Sequence, residues 1–179
     1  MPVFIRLSSL PMIGKNFFIT LLALFISCNT FAQKPSVGCI DKSIRLQADE
    51  IKHHYTDQGF KVYRDAMVNM ESQEPFPVMV SLEAGHMYQV VFVGHPAVYR
   101  IKMEVYDGSD NKIDQQFVMR SKGQSNYLLY NFVPERTDMY LFTFMQKLKN
   151  ESMCGSLCIM KLESDGKKVV IRPFTEKQP

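Results

Sequence analysis

Apolar and polar residues alternate along most of the chain after residue 60. From Tyr99 to Val105, apolar side chains at every second position are interleaved with Arg100, Lys102 and Glu104. A period of two places one face of a strand against a core and the other in water. Similar patterns predict strands at residues 60–70, 78–82, 88–93, 113–119, 127–132, 139–145, 157–162 and 169–171. Eight or nine short strands separated by turn residues are typical of an antiparallel β-sandwich.

Two of these segments carry finer predictions. The first predicted strand has apolar residues at even-numbered positions, so it is expected to bury them on one common face. These residues are Phe60, Val62, Ala66, Val68 and Met70. The Pro75-Phe76-Pro77 step is expected at a sheet edge or in a loop, since proline cannot donate to a central ladder.

A single amphipathic helix is predicted ahead of the strands, at about residues 40–56. Ile40, Ile44, Ala48, Ile51 and Tyr55 recur at three- and four-residue steps, the spacing of one helix face. Gly59 follows where a left-handed residue can end the helix.

The first 32 residues have the pattern of a secretory signal peptide. A basic region carries Arg6 and Lys15, an apolar run covers residues 17–26, and the small residues Thr30 and Ala32 precede a cleavage site between Ala32 and Gln33. The apolar run is shorter than the roughly 20 residues that span a bilayer. Residues 33–179 are then expected to form one exported domain in the periplasm or cell envelope.

A lipoprotein signal is the alternative reading of the same segment. The residues before Cys28 loosely resemble a lipobox, in which the cysteine is lipidated and becomes the N-terminus. A membrane association is expected only in that case. The Phe31-Ala32-Gln33 ending resembles the signal peptides of Bacteroidetes bacteria.

Charge gives no reason to expect nucleic acid as a partner. Without Arg6 and Lys15, the 21 basic residues fall to 19, against 18 acidic residues, for a net charge of +1. A protein that binds the phosphate backbone needs a clear excess of cations.

Three segments resemble the bacterial pre-peptidase C-terminal domain, a small secreted jelly-roll-like β-sandwich. They are Leu82–Tyr88, Val105–Gly108 and Phe132–Tyr140, within a stretch from about Val78 to Leu162. The chain departs from that pattern at Asp138-Met139, where the family usually has a glycine. The resemblance implies the sandwich fold, export and an accessory or binding role.

The histidines do not have the spacing of a metal site. His53 and His54 are adjacent on the helix and point about 100° apart, without the i, i+4 spacing of a zinc helix. His86 and His95 flank one strand and meet only if the hairpin folds back. We therefore predict no metal, with zinc between His86 and His95 as the alternative.

Oxygen-bearing residues in one turn leave a calcium site open. Asp107, Ser109, Asn111 and Asp114 alternate in a way that suits a hard cation, but the loop lacks EF-hand spacing. A polar hairpin turn is the competing interpretation.

No residue pattern indicates catalysis or a cofactor. The chain has no G-x-S-x-G elbow and no glycine-rich phosphate loop after a strand. It also lacks tryptophan. Its tyrosines are expected mainly in the core, with bonded hydroxyls: Tyr88, Tyr99, Tyr106, Tyr127, Tyr130 and Tyr140.

One disulfide, Cys39–Cys154, is predicted among the three cysteines of the mature chain. Cys154 and Cys158 in one extended strand are about 13 Å apart, beyond disulfide reach. Cys154 is placed in a loop beside Gly155, free to reach Cys39, and Cys158 is expected as a buried free thiol.

The leading hypothesis is a non-catalytic exported module that binds another envelope protein or a surface polymer. The alternatives are an envelope hydrolase that uses scattered carboxylates, and a lipid-anchored surface module.

Processing at Ala32 can be tested by intact-mass spectrometry of the exported protein. The expected mature N-terminus is Gln33, with or without cyclisation to pyroglutamate. A mass that includes Cys28 with acyl chains would instead establish the lipoprotein.

Overall fold

The computed structural model describes residues 39–119, 125–149, 152–163 and 171–175. The signal-peptide and lipidation residues, including Cys28, Ala32 and Gln33, lie outside these ranges. The elements are α1 (Lys42–Thr56), β1 (Phe60–Glu71), β2 (Phe76–Leu82), β3 (Tyr88–Val93), β4 (Arg100–Tyr106), β5 (Lys112–Met119), β6 (Tyr127–Phe132), β7 (Asp138–Lys147) and β8 (Ser152–Leu162).

The eight strands form two four-stranded antiparallel sheets, which confirms the predicted β-sandwich. Sheet A has the order β1-β8-β3-β6, and sheet B has the order β2-β7-β4-β5. Pro77 lies in β2, an edge strand of sheet B, as expected for a residue that cannot donate to a central ladder. No helix in the described part of the chain is long and apolar enough to cross a membrane.

An apolar core fills the space between the sheets. The alternation in β4 buries Ile101, Met103 and Val105 completely, as its sequence predicts. Phe92 of β3 stacks on Phe144 of β7 with ring centroids 4.9 Å apart, which joins the two sheets at the centre.

The helix α1 covers the outer face of sheet A and creates a second apolar cluster. Asp41 caps the helix by accepting from the backbone N–H groups of Ser43 and Ile44. The predicted face residues Ile44, Ala48, Ile51 and Tyr55 are buried there against Val91, Val93, Cys158 and Met160. Gly59 adopts φ +91° after the helix, as its position predicted.

The predicted apolar pattern is wrong at the start of the helix and in β1, where Val62 is 49% exposed and Ala66 is also exposed. Ile40 precedes the helix and is 86% exposed. In β1 a bulge between Val62 and Arg64 switches the faces, so Phe60 packs under the helix while Val68 packs between the sheets. Because a bulge adds one residue to a strand, residues of one parity then point to opposite sides.

The last predicted strands also need correction. The strand predicted at 157–162 begins at Ser152, so Cys154 lies within β8 and not in a loop. The strand predicted at 169–171 falls mostly outside the described residues, and Ile171 itself is not in a strand. Ile171 and Phe174 instead pack against the cluster beneath α1.

The predicted disulfide between Cys39 and Cys154 is present, with Cα atoms 5.5 Å apart. Position 154 faces outward from sheet A, toward the segment that leads into α1. The bond therefore pins the start of the helix to β8, 115 residues later in the chain. Cys158 is a buried free thiol, and burial raises its pKa to about 12.

Removing either half of the disulfide is expected to lower the free energy of unfolding by the same amount. The chain-entropy estimate for a loop of this length is about 4–5 kcal/mol, an upper figure because measured gains are often smaller. Urea unfolding should give the same free energy of unfolding for three variants: Cys39→Ser, Cys154→Ser and the double variant.

Cys158→Ser is the control, because it leaves the disulfide intact and costs only a buried hydroxyl without a partner. Non-reducing peptide mapping that found Cys39 free, or joined to Cys158, would contradict the assignment.

Candidate functional site

A cleft of about 260 Å³ lies at one end of the sandwich, between the edge strands β5 and β6; we call it the acidic cleft. It is lined by Asp107, Ile113, Asp114, Tyr130, Phe132, Val133, Glu135, Arg136 and Tyr140. These residues come from the β4–β5 turn, from β5 and β6, and from the β6–β7 loop. The cleft exists because the two sheets end in unpaired edges here.

The three segments that resemble the pre-peptidase C-terminal domain meet at this same end. The Gly85 N–H donates to the Pro134 carbonyl, which ties the β2–β3 turn to the β6–β7 loop. The Ala84 N–H donates to Thr137 Oγ1 in that loop. Arg136 reaches Asp107 of the β4–β5 turn. The loops beside the cleft are thus held to one another by hydrogen bonds.

Aromatic rings form the inner wall of the cleft. Tyr130 stacks on Phe132 with centroids 6.0 Å apart, and Phe132 meets Tyr140 edge to face at 5.2 Å. The Tyr140 hydroxyl donates to the Arg136 carbonyl at 2.9 Å, so this ring also fixes the loop above it. At the rim, Ile113 and Val133 are 45% and 47% exposed. A ligand would therefore meet an apolar surface as well as charges.

Asp114 is held in its ionised form by the cleft wall. The Tyr130 hydroxyl donates to Asp114 Oδ2 at 2.6 Å, and the Gln115 N–H donates to Oδ1 at 2.6 Å. The Tyr130 hydrogen bond lowers the pKa of Asp114 below its ordinary value. Burial and the nearby carboxylate raise the pKa of Tyr130, so it stays a neutral hydrogen-bond donor.

Asp107 organises the β4–β5 turn. Its Oδ1 accepts from the N–H groups of Asn111 and Ser109, both at 2.9 Å, and its Oδ2 lies 3.4 Å from Arg136 Nη2. The bonds from Asn111 lead in lowering the pKa of this carboxyl. The oxygens therefore serve the turn, which explains Asp107, Ser109 and Asn111 as a polar hairpin.

Charge in the cleft is unbalanced toward the negative. Three carboxylates, Asp107, Asp114 and Glu135, line it together with one guanidinium, Arg136. Glu135 is exposed, and no described residue forms an ion pair with it. The cleft can therefore accept a hydrogen bond or a cation from a ligand at Glu135 without breaking a contact of the fold.

The candidate metal residues are not brought together. His86 and His95 lie beyond opposite ends of β3, so six extended residues separate them. His95 Nδ1 accepts from the Ala97 N–H, and His86 lies beside Glu83. Within the described residues, no three His, Cys, Asp or Glu side chains cluster closely enough for a metal ion.

The helix histidines differ from each other. His53 is exposed, but His54 is half-buried, and its Nε2 lies 2.9 Å from the Arg172 carbonyl oxygen. Its ring also meets Phe174 edge to face. His54 therefore anchors the segment 171–175 to the helix, a role that the sequence did not indicate.

The tyrosines are less uniformly buried than predicted. Tyr88 and Tyr140 are core residues, whereas Tyr99 is 48% exposed and Tyr130 is half-buried in the acidic cleft.

Arg136 and Glu135 were not predicted as site residues, although both fall in a segment that carries the family resemblance. The sequence does not show that the unpaired edge strands β5 and β6 lie next to each other, which places this loop beside Asp114.

Comparison with known proteins gives no family assignment. No family model matches the chain, and no curated protein matches it in sequence.

Solved structures share the sandwich only loosely. The periplasmic inhibitor of g-type lysozyme from Aeromonas hydrophila is 12% identical, with 55% of this chain and 84% of that one covered and a TM-score of 0.41. A CBM4 structure is 12% identical (59% and 79% covered; TM-score 0.36). TmCBM61 with β-1,4-galactotriose is also 12% identical (59% and 87% covered; TM-score 0.34). Since every one of these TM-scores is below 0.5, the fold assignment stands on the sheet topology alone.

The Tyr130–Asp114 hydrogen bond should make stability depend on acid pH. A carboxyl with a lowered folded pKa stabilises the fold above its unfolded pKa, near 3.8, and the contribution is lost as pH falls through the folded pKa. Tyr130→Phe should cost about 1 kcal/mol at pH 7 and progressively less toward pH 2 in urea unfolding.

Tyr140→Phe is the matched control, because its hydroxyl donates to a carbonyl that does not titrate. Its cost should be equal at both pH values. A cost of Tyr130→Phe that did not change with pH would refute the role assigned to Asp114.

Proposed function

We propose that this chain is an exported, non-catalytic binding module of the cell envelope that holds its ligand in the acidic cleft. The observation that carries the proposal is the cleft itself. It combines an aromatic wall, an apolar rim and the Glu135 carboxylate, which forms no ion pair with any described residue, on loops that are fixed by hydrogen bonds. Such a combination suits recognition, since the apolar walls supply burial and the few polar groups orient the ligand.

The state of the carboxylates favours binding over hydrolysis. A general acid at neutral pH needs a raised pKa, and a general base needs one near the working pH. The pKa values of Asp107 and Asp114 are instead lowered by hydrogen bonds from the fold. Neither carboxylate is poised to exchange a proton, which supports the binding module over the envelope hydrolase.

The disulfide supports a location beyond the inner membrane. Disulfides persist in oxidising compartments and are rare in the cytosol. The Cys39–Cys154 bond is therefore consistent with the predicted signal peptide and with the resemblance to a secreted sandwich family. A lipid anchor at Cys28 is compatible with the same binding role.

The negative charge of the acidic cleft favours a ligand that presents cations or hydroxyls. The excess of carboxylates in the cleft attracts an amine or guanidinium and repels an anion. Apolar contact comes from the accessible part of Tyr130 and from the rim residues Ile113 and Val133. A basic side chain of an envelope protein, or an amine-bearing surface polymer, meets these requirements.

The proposal is tested by affinity capture from envelope extracts, with the tagged mature chain as bait. Glu135→Gln should weaken capture of the specific partner about tenfold, as for one charge-assisted contact of ~1.4 kcal/mol. Glu50→Gln removes the same charge from the exposed face of α1 and should leave capture unchanged. Binding should also weaken as salt rises.

Equal capture by wild type and Glu135→Gln would refute the cleft as the binding site. Turnover of peptidoglycan or an envelope polysaccharide by the wild type, abolished by Asp114→Asn, would establish the hydrolase instead.

A further inference from the structure

A second cleft, of about 420 Å³, lies at the opposite end of sheet B; we call it the basic cleft. It is lined by Tyr99, Arg100, Met119, Lys147, Leu148 and Lys149. These residues come from the start of β4 and the ends of β5 and β7, whereas the acidic cleft lies beyond the other ends of these strands. The two clefts share no residue.

The fold places like charges side by side in the basic cleft. Arg100 and Lys147 are directly opposite in the β4–β7 ladder, so their side chains emerge on the same face of sheet B. Like charges in register destabilise a sheet. Lys149 adds a third cation, and no described carboxylate forms an ion pair with any of the three. This arrangement is costly unless an anion occupies the cleft.

Arg100 is oriented toward this role by its neighbours. Its guanidinium lies 4.4 Å from the centre of the Phe117 ring, which holds the plane of the group against the sheet. Its Nε–H is buried, and none of the described residues accepts a hydrogen bond from it. A buried donor without a partner is unfavourable, so a rearrangement of Arg100 that brought this group to an acceptor in the cleft would relieve that cost.

The walls of the cleft are mostly apolar. Tyr99 is 48% exposed, and Met119 and Leu148 are half-buried beside the cations. Inorganic anions would leave this surface in water, whereas an alkyl chain would cover it. The volume falls within the range of about 300–1,000 Å³ that is typical of small-molecule sites.

We infer that the basic cleft binds an amphiphilic anion, a molecule with an alkyl chain that ends in a carboxylate or phosphate. Arg100, Lys147 and Lys149 would hold the head group, and Tyr99, Met119 and Leu148 would contact the chain. The site is separate from the acidic cleft and does not depend on the function proposed for it.

Isothermal titration of the mature chain tests this inference, with octyl phosphate and octanoate as probes. Octyl phosphate should bind at least tenfold more tightly than 1-octanol or inorganic phosphate, because only it supplies both chain and charge. The octanoate arm shows whether carboxylates are accepted as well as phosphates. Equal binding of octyl phosphate and 1-octanol, or no binding of octyl phosphate at millimolar concentration, would overturn the inference.

Charge variants locate the site. Lys147→Gln with Lys149→Gln should weaken octyl phosphate binding at least tenfold, while the matched variant Lys42→Gln, on the exposed face of α1, should leave it unchanged. Glu135→Gln in the acidic cleft should also leave it unchanged.

A melting temperature for the double lysine variant that is no lower than that of wild type shows that it folds. If that variant is unstable, the salt dependence of wild-type binding tests the assignment instead. The affinity for octyl phosphate must fall as ionic strength rises if cations hold the head group. Undiminished binding by a folded Lys147→Gln/Lys149→Gln variant, or wild-type affinity that is independent of salt, would refute the assignment.

Discussion

Burial of β3, a central strand of sheet A, on both of its faces is the constraint on which the rest of the structure depends. Every residue of β3 is buried, because one face meets the core between the sheets and the other meets α1. A strand covered on both sides is expected to be mostly apolar, and β3 is an uninterrupted apolar run from Val90 to Val93; Gln89 is its one buried polar residue. The helix is thus an obligatory third layer of the domain, and the disulfide at Cys39 fixes where it begins.

A buried amide fixes how the two sheets meet at the end that carries the basic cleft. Gln146 is fully buried, accepts from the His95 N–H at 2.9 Å and donates to the Cys154 carbonyl at 3.1 Å. Gly94 and Gly155 leave it room, since a Cβ at either position would come within 3.1 Å of the amide. Because the Gln146 side chain extends from β7 of sheet B to the Cys154 carbonyl in β8 of sheet A, it holds β7 and β8 in one relative position. Lys147, the next residue, is thereby positioned on the outer face of sheet B.

The sequence allowed the layers to be predicted well and the local irregularities poorly. The period of two in β4 and the three- and four-residue steps of α1 follow directly from side-chain burial, so both elements were predictable. The bulge at Val62 and Arg64 follows from how an edge strand twists against β8, a tertiary effect that leaves no periodic signal. The start of β8 was missed because Gly155 was interpreted as a turn residue. In the fold it is a strand residue packed against Phe92 and Gln146.

The two clefts could not be predicted from the sequence, for a different physical reason. Asp114 and Tyr130 belong to different sheets, and Arg100 and Lys147 belong to strands whose register the sequence does not specify. Their proximity is a product of topology, in which the unpaired edges β5 and β6 face each other and β4 lies beside β7.

The histidines and the alternating oxygens stood out because they are close in sequence, yet the fold uses them for turns and for anchoring the segment 171–175. The strongest candidates for ligand contact are instead groups whose contacts with the described residues are incomplete. They are Glu135, which forms no ion pair with any of these residues, and Arg100, whose Nε–H has no acceptor among them and which lies opposite another cation. A buried donor without a partner costs stability, so the Arg100 Nε–H is better explained by what binds there than by what it adds to the fold. Glu135 is exposed and hydrated, so it costs the fold nothing and remains available to a ligand.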